Sequence, residues 1–374
     1  MPRPTWAEIN LGAIRANLGA LRRHLAPGIK VLGVVKADAY GHGLVPVARA
    51  LESAGADMLG VVMVEEGVAL RKAGVALPIL MMGSIPADET DALLAHDLRP
   101  TVGDAETLER LEAAAARAAG KKVAVHLKVD TGMNRLGVRS EEAVALAERI
   151  VGGSALALEG VYTHFACADT PGDRATREQL KRFRAVLAEL GQRGTAIRMI
   201  HAANSSALAT MPETHFDMVR PGLALYGALA CRAPEGLDLR PALALKSRVA
   251  HLKRVLQGES VSYGHTWRAQ RDSLLGLLPI GYGDGYPRAL SNKGQVRIGT
   301  GADAPLCPVV GHICMDATLV DLTDVPDAHV GLEATLIEAD AASPLNVSAV
   351  ARRAGAIPYE ILTGLTSRVP RVYV

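Results

Sequence analysis

Ile29-Lys30-Val31-Leu32-Gly33-Val34-Val35 runs directly into Lys36-Ala37-Asp38-Ala39-Tyr40-Gly41-His42-Gly43. The first segment is apolar and β-branched, the pattern of a strand buried on both faces in a parallel sheet. Lys36 stands where that strand stops. Gly41-His42-Gly43, followed by Pro46, punctuates a loop that leads into a helix. A lysine at the carboxyl end of a buried strand is costly unless a partner or a reaction needs it. Burial also draws its pKa down from about 10.4 and makes the amine a nucleophile. Taken alone, the stretch fits a lysine snorkelling out of a strand end equally well.

Outward from this point, strand and helix patterns alternate for about two hundred residues, read against the usual length of a βα unit. Strands are expected over 31–35, 58–63, 79–82, 123–129, 156–163, 199–201 and 216–219, with a short, weak eighth over 97–102. Helices are expected over 44–54, 64–73, 88–95, 105–119, 141–151, 177–191 and 205–210. Before them come a short strand over 6–10 and a helix over 11–25, with Leu11, Ile14, Leu18, Leu21 and Leu25 on one face and Asn10 as its cap. Such alternation reads as α/β. Eight units fit a (β/α)8 TIM-type barrel. The rival is a doubly wound open sheet, and no G-x-G-x-x-G turn supports it. Beyond Gly222 the texture changes to short apolar runs (243–252, 273–280, 295–298, 317–322, 333–337) among dense Pro and Gly, with one helix near 346–353. That spacing reads as a mainly β C-terminal domain. The expected division is 10–230 for the barrel and 231–374, plus 1–9, for the second domain.

Composition narrows the function. A formal charge of +2 leaves no field for nucleic acid or an anionic membrane. With 3% aromatic residues, stacking platforms for bases are not the theme. Cys167, Cys231, Cys307 and Cys314 form no C-x-x-C pair, so no metal is expected and reduced thiols fit. Met1-Pro2-Arg3-Pro4-Thr5-Trp6 has no signal-peptide core and no apolar run is long enough to span a bilayer, so a cytoplasmic setting is expected.

In a barrel, catalytic groups stand at the carboxyl ends of the strands. Here those ends carry Lys36, then Lys128-Val129-Asp130-Thr131-Gly132-Met133-Asn134-Arg135, Tyr162-Thr163-His164, His201-Ala202-Ala203-Asn204-Ser205-Ser206, and Met218-Val219-Arg220-Pro221-Gly222. Each has a dull explanation as a strand-end polar residue. Five on one face point to a site.

Val35-Lys36-Ala37-Asp38-Ala39-Tyr40-Gly41-His42-Gly43 resembles the cofactor-lysine motif of the alanine racemases, pyridoxal-phosphate enzymes of fold type III. The other segments match the family pattern in order, along essentially the whole chain. The resemblance implies that Lys36 carries pyridoxal 5'-phosphate covalently. It places His164 against the pyridine ring and Arg220 on the pyridine nitrogen. An arginine there does not surrender its proton, which limits the ring's capacity as an electron sink. Tyr40, Asn204, Ser205, Gly222, Leu223 and Tyr359 are implied around the phosphate, where a helix N-terminus also suits an anion; Ser205 would serve as a cap in any case. Arg135 is implied at the cofactor's phenolic oxygen and the substrate carboxylate, and Lys128 as a carbamylated lysine holding that arginine.

Racemisation needs a second acid–base group on the face opposite the lysine. Tyr263, in Ser262-Tyr263-Gly264-His265, is the family's candidate, reaching the site from the partner subunit of a homodimer. Met315 and Asp316 would meet the substrate carboxylate from the partner, and Tyr282 with Tyr359 would narrow the entry. His312 stands where many relatives have arginine, which changes the charge of the entry corridor; Asn134 replaces a frequent glycine and tolerates left-handed backbone. His42 and His201 receive no role. The implied activity is interconversion of L- and D-alanine, supplying D-alanine for peptidoglycan. The alternatives are a broader racemase acting on serine and other amino acids, a fold type III decarboxylase, which usually sets an acid against the pyridine nitrogen, and a non-catalytic cofactor carrier, which matches the barrel alone.

Overall fold

The computed structural model describes residues 4–117, 122–170, 172–301 and 303–374. Positions 118–119 of the expected helix over 105–119, and residues 1–3 of the expected N-terminal segment, lie outside the described residues.

β1 (Thr5–Ile9) precedes the helix Leu11–His24, which Asn10 caps through its side chain. Eight parallel strands then close into a barrel: β2 (Lys30–Val34), β3 (Met58–Val61), β4 (Ile79–Met81), β5 (Leu98–Val102), β6 (Val123–Asp130), and, after a two-residue β7 (Val138–Arg139) that pairs onto β6, β8 (Leu156–Tyr162), β9 (Met199–His201) and β10 (Met218–Val219). Closure runs from β10 onto β2, with Val219 beside Val31. The weak stretch at 97–102 is a full member of the ring, since β5 pairs with both β4 and β6. The last strand is shorter than the expected 216–219, because Phe216 takes a left-handed backbone (φ +46°). The helix expected over 177–191 begins earlier, at Arg174, where the Asp173 carboxylate accepts the Thr176 N–H.

The rest is mainly β. The run 243–252 splits into β11 (Leu243–Arg248) and β12 (His251–Val255), which lie in different sheets. β13 (Ser260–Val261) and β14 (Trp267–Arg268) form a small ribbon. β15 (Ser273–Leu278) joins β12 to β18 (Thr318–Asp321). A six-stranded sheet orders β17 (Leu306–Pro308), β16 (Gln295–Ile298), β19 (Glu333–Ile337), β11, β1 and β20 (Arg371–Tyr373). The chain's first strand therefore pairs between β11 and β20. Two helices, Val347–Ala354 and Pro358–Gly364, precede β20. One apolar core runs through both regions. Asn17 links them: it donates to the carbonyls of Leu225 and Arg240 (2.9 and 2.8 Å) and accepts the Arg240 N–H.

Candidate active site

Lys36 follows β2 at the mouth of the barrel, half-buried. Immediately after it Ala37, Asp38, Ala39 and Tyr40 all lie in the left-handed region, with φ between +52° and +54°. None is glycine, so the turn is intrinsically unfavourable by roughly 1–2 kcal/mol per residue. It persists because its surroundings fix it. Glu66, buried, accepts Ala37 N–H at 2.6 Å and, through its other oxygen, Val62 and Met63 N–H. Asp38 accepts the Leu44 N–H at 2.7 Å. The turn aims the Lys36 amine inward, where burial and then Arg135 lower its pKa, against a raising effect from Glu66.

Arg220 is buried on the segment after β10. Its guanidinium donates to Thr163 and Ala202 carbonyls (2.7 and 3.0 Å), to His201 Nδ1 (3.0 Å) and to His164 Nδ1 (3.3 Å). Arginine can only donate, so both histidines face it with an unprotonated nitrogen. His201 then carries its proton on Nε2 and donates to His126 Nδ1 (2.8 Å). His126 in turn donates from Nε2 to Glu159 (3.2 Å), which also holds Arg99. A single direction of donation thus runs from the mouth to the barrel's side. Burial pushes the Arg220 guanidinium down to about 10, still protonated at neutral pH. Burial and then Arg220 hold His164 and His201 neutral, well below the usual histidine range.

Lys128, buried at the end of β6, lies over the Tyr162 ring at 5.4 Å. Burial, then Arg220 and Arg135, lower its amine to about 8. The loop that follows is tied by Asp130, whose Oδ1 accepts the N–H groups of Gly132, Met133 and Asn134 (2.9, 2.9 and 3.1 Å), presenting Arg135 to the same mouth. Asn134 takes the left-handed backbone expected of it (φ +55°).

The implied phosphate residues converge beside this cluster. Asn204 caps the helix Ser205–Thr210, accepting Ala207 N–H, which leaves Ser205 free of the cap. Ser205 instead accepts the Gly222 and Ala224 N–H groups (2.9 and 3.2 Å). Gly222 leads into the short turn Leu223–Tyr226. A Cβ on Gly222 would collide with the Tyr40 hydroxyl, so the phenol and this backbone meet only because the residue is glycine. Tyr40 stacks on Tyr226 (4.8 Å) and faces Tyr359 (5.9 Å). Burial pushes both the Tyr40 and Tyr359 phenols up, keeping them protonated donors.

Tyr263, Met315 and Asp316 stand apart from this in character. Tyr263 is 72% exposed and Met315 53% exposed, and Asp316 is exposed. Tyr263 rides on a strained loop: Ser262 has φ +64° and His265 φ +50°. The Ser262 hydroxyl donates to the His312 carbonyl (2.7 Å), which ties the loop to the segment carrying Met315. Tyr282 joins the same surface, its N–H bonded to Cys314 O and that of Gly283 to Met315 O. Arg368 bridges Asp316 and buried Asp284.

Sequence reasoning missed several contributors. Glu66 reads as an ordinary helix glutamate, and Tyr226 as core. Tyr226 donates to Val34 O (2.9 Å) beneath the lysine. Glu159 sits mid-strand, where only the alternation of β8 hinted that a charge must find partners. Among the described residues no group of three or more His, Cys, Asp or Glu could hold a metal ion.

Known proteins are similar to this chain along its length. The family model "Alanine racemase, N-terminal domain" matches residues 9–230, and "Alanine racemase, C-terminal domain" matches 242–373. Alanine racemase of Symbiobacterium thermophilum is 44% identical, covering 99% of this chain and 97% of its own length, and that of Halothermothrix orenii 42%, with the same shares. Among solved structures, alanine racemase of Clostridium difficile 630 aligns with TM-score 0.92 at 36% identity over 100% of this chain and 96% of its own. That of Streptomyces coelicolor gives 0.92 at 40% identity, over 99% and 98%. Full-length likeness in both halves, joined to a half-buried lysine and a buried arginine at the mouth of one barrel, shows that this chain belongs to the alanine racemase family.

Proposed function

We propose that Lys36, and Tyr263 from a second copy of the chain, are the two acid–base groups of this family's reaction, the pyridoxal-phosphate-dependent racemisation of alanine. The observation that carries the proposal is the contrast between a half-buried amine with a lowered pKa and a phenol left 72% exposed on a fixed loop. An acid–base group that faces solvent becomes useful once another surface covers it, and the twofold association of like chains is the common way to do so. We read 10–230 as the cofactor-binding barrel and 231–374, with 1–9, as the domain that completes the partner's site in a homodimer. A cytoplasmic role supplying D-alanine for peptidoglycan belongs to the same reading; among the described residues no helix is long and apolar enough to cross a membrane.

The residues fit the cofactor. Lys36, Lys128, Arg135 and Arg220 gather at one mouth, while the nearest carboxylates, Glu66 and Asp130, are engaged by backbone N–H groups. Such a cluster calls for anions, which a phosphate, a phenolate and a substrate carboxylate supply. Ser205, Tyr40, Tyr359 and the backbone at Gly222–Leu223, flanked by the capped turn at Asn204, suit the phosphate; Arg135 suits the phenolate and substrate carboxylate. Pyridoxal phosphate, held here with Lys36 as its lysine, would supply the electron sink that makes the substrate Cα–H acidic. This chain does the rest. Lys36 Nζ takes or returns the proton on the face used by D-alanine, and the Tyr263 hydroxyl of the partner copy does so on the opposite face. Arg220 presents an N–H that it does not surrender, which disfavours side reactions that need a full electron sink. Neutral His164 accepts from Arg220 and relays hydrogen bonding towards the phenol. Met315 and Asp316 from the partner border the substrate carboxylate, and Tyr282 narrows the way in.

Exchange of the Cα hydrogen in deuterated water tests the assignment. Tyr263→Phe should slow exchange from L-alanine by roughly a hundredfold or more, the general range for loss of an acid–base group, and from D-alanine much less. Equal, mild slowing from both enantiomers would remove Tyr263 from the role.

A further inference from the structure

The C-terminal segment grips the lysine turn from outside the barrel. Arg371 donates to Gly41 O (2.9 Å) on that turn, and also to the carbonyls of Thr366, Val369 and Leu365 (2.6, 2.6 and 2.7 Å) in its own segment. One guanidinium, a rigid fork of five donors, therefore ties four carbonyls from two parts of the chain. The fit is close. A Cβ on Gly41, at φ +76°, would collide with Leu362 O; one on Gly43, at φ +96°, would collide with the Tyr373 hydroxyl. The turn and the segment 358–374 approach backbone to backbone. The segment's helix also carries Tyr359, which faces Tyr40.

His42 holds the turn as well. It is fully buried. Its Nδ1 faces the carbonyls of Ala39 at 3.1 Å and Tyr40 at 2.8 Å. That nitrogen therefore carries the proton and donates. Its ring packs on Tyr226 at 4.5 Å, and Tyr226 stacks on Tyr40. Nε2 has no partner among the described residues. A buried ring with one nitrogen idle is there for what the other nitrogen does.

We propose that Arg371 and His42 are positioning residues that clamp the left-handed turn 37–40 between the C-terminal domain and the barrel, and so pre-set the direction of Lys36 and Tyr40. A run of four non-glycine residues in this conformation relaxes when its restraints go. The domain that offers Tyr263 outward thus also organises the lysine of its own chain. The proposal rests on Lys36 being the cofactor lysine, but its first readout does not.

The test pairs Arg371→Lys, which keeps the charge and loses the fork, with Asn17→Ala, which cuts a different contact between the two domains, at the helix Leu11–His24. Hydrogen exchange in the cofactor-free protein is followed by peptide. Arg371→Lys should speed exchange over 36–44 at least about tenfold, the loss of about one hydrogen bond's protection, and leave 11–24 unchanged. Asn17→Ala should do the opposite. In the holoenzyme, Arg371→Lys should release pyridoxal phosphate several-fold faster than Asn17→Ala at matched Tm. If Arg371→Lys does not fold, His42→Gln is measured in its place with the same expectations. Unchanged exchange over 36–44, or an equal rise in Asn17→Ala, overturns the clamp. Faster exchange without faster release overturns its service to Lys36. A protein that shows the exchange effect but binds no pyridoxal phosphate at all refutes the assignment of Lys36 and leaves the clamp standing.

Discussion

Lys128 offers a quantitative test of the mouth's electrostatics. Its amine is lowered from 10.5 to about 8. Near neutral pH that drop raises the neutral share of the amine by on the order of a hundredfold, since each pKa unit is a factor of ten. Only a neutral amine attacks carbon dioxide. Its nitrogen bonds the carbon, one N–H proton leaves to solvent, and a carbamate remains. That anion would stand among Arg220, Arg135 and Lys36, the cations that now depress the amine, and it would hold Arg135 by a charge-assisted hydrogen bond. Removing such a bond costs about 1.5–3 kcal/mol, or roughly 10- to 150-fold. Lys128→Ala should lose that factor in kcat/KM, with most of the loss in KM if Arg135 meets the substrate carboxylate, and short carboxylates such as acetate should restore part of it. In protein given 13C-labelled bicarbonate at mildly alkaline pH, a carbamate carbon resonance should appear in the parent and be missing from Lys128→Ala. A folded, active parent with no such resonance, together with Lys128→Ala kinetics within twofold of normal, would refute the reasoning.

Other perturbations reach other parts of the account. Gly222→Ala places a Cβ against the Tyr40 hydroxyl. Fluorescence titration of the cofactor-free protein should then show pyridoxal phosphate binding weakened by about tenfold or more, the equivalent of about 1.4 kcal/mol. The buried, neutral histidines make stability fall with acid. His42 is held at about 4, below its ordinary value of 6.5. It binds its proton more readily in the unfolded chain, so its contribution is present above pH 6.5 and is lost as pH falls towards 4. His126, His164 and His201, whose pKa values are lowered as well, add to the same trend. Urea unfolding across that window should show stability falling with a slope on the order of 1.4 kcal/mol per pH unit for each such proton. A flat profile between those limits would contradict the burial of neutral imidazoles.

The barrel was legible because its strands are short, apolar and separated by helices of strong periodicity; even Leu98–Val102, weakest by pattern, is where the count required it. The C-terminal half was less so. Two-residue strands such as Ser260–Val261 carry no periodicity, and the turn between Arg248 and His251 has no glycine or proline to announce it. The mouth itself was readable because strand ends carry chemistry in this architecture. What holds the mouth was not. The left-handed run after Lys36 contains no glycine at 37–40 to announce it, and Glu66 and Arg371 act through backbone groups far away in sequence, which no local pattern records. His42 acts on carbonyls close by, yet nothing in its letter tells a buried clamp from a loop histidine. Tyr263 was named by motif alone, and its exposure in one chain is what makes a second copy necessary to the account.

That necessity can be measured directly by mixing two inactive variants, Lys36→Ala and Tyr263→Phe, and letting their subunits exchange. If each site takes its lysine from one chain and its tyrosine from the other, half of the dimers become mixed and each mixed dimer holds one intact site, so about a quarter of the parent activity should return. Activity that stays at the level of the separate variants, with mixed dimers shown to be present, would contradict the shared site.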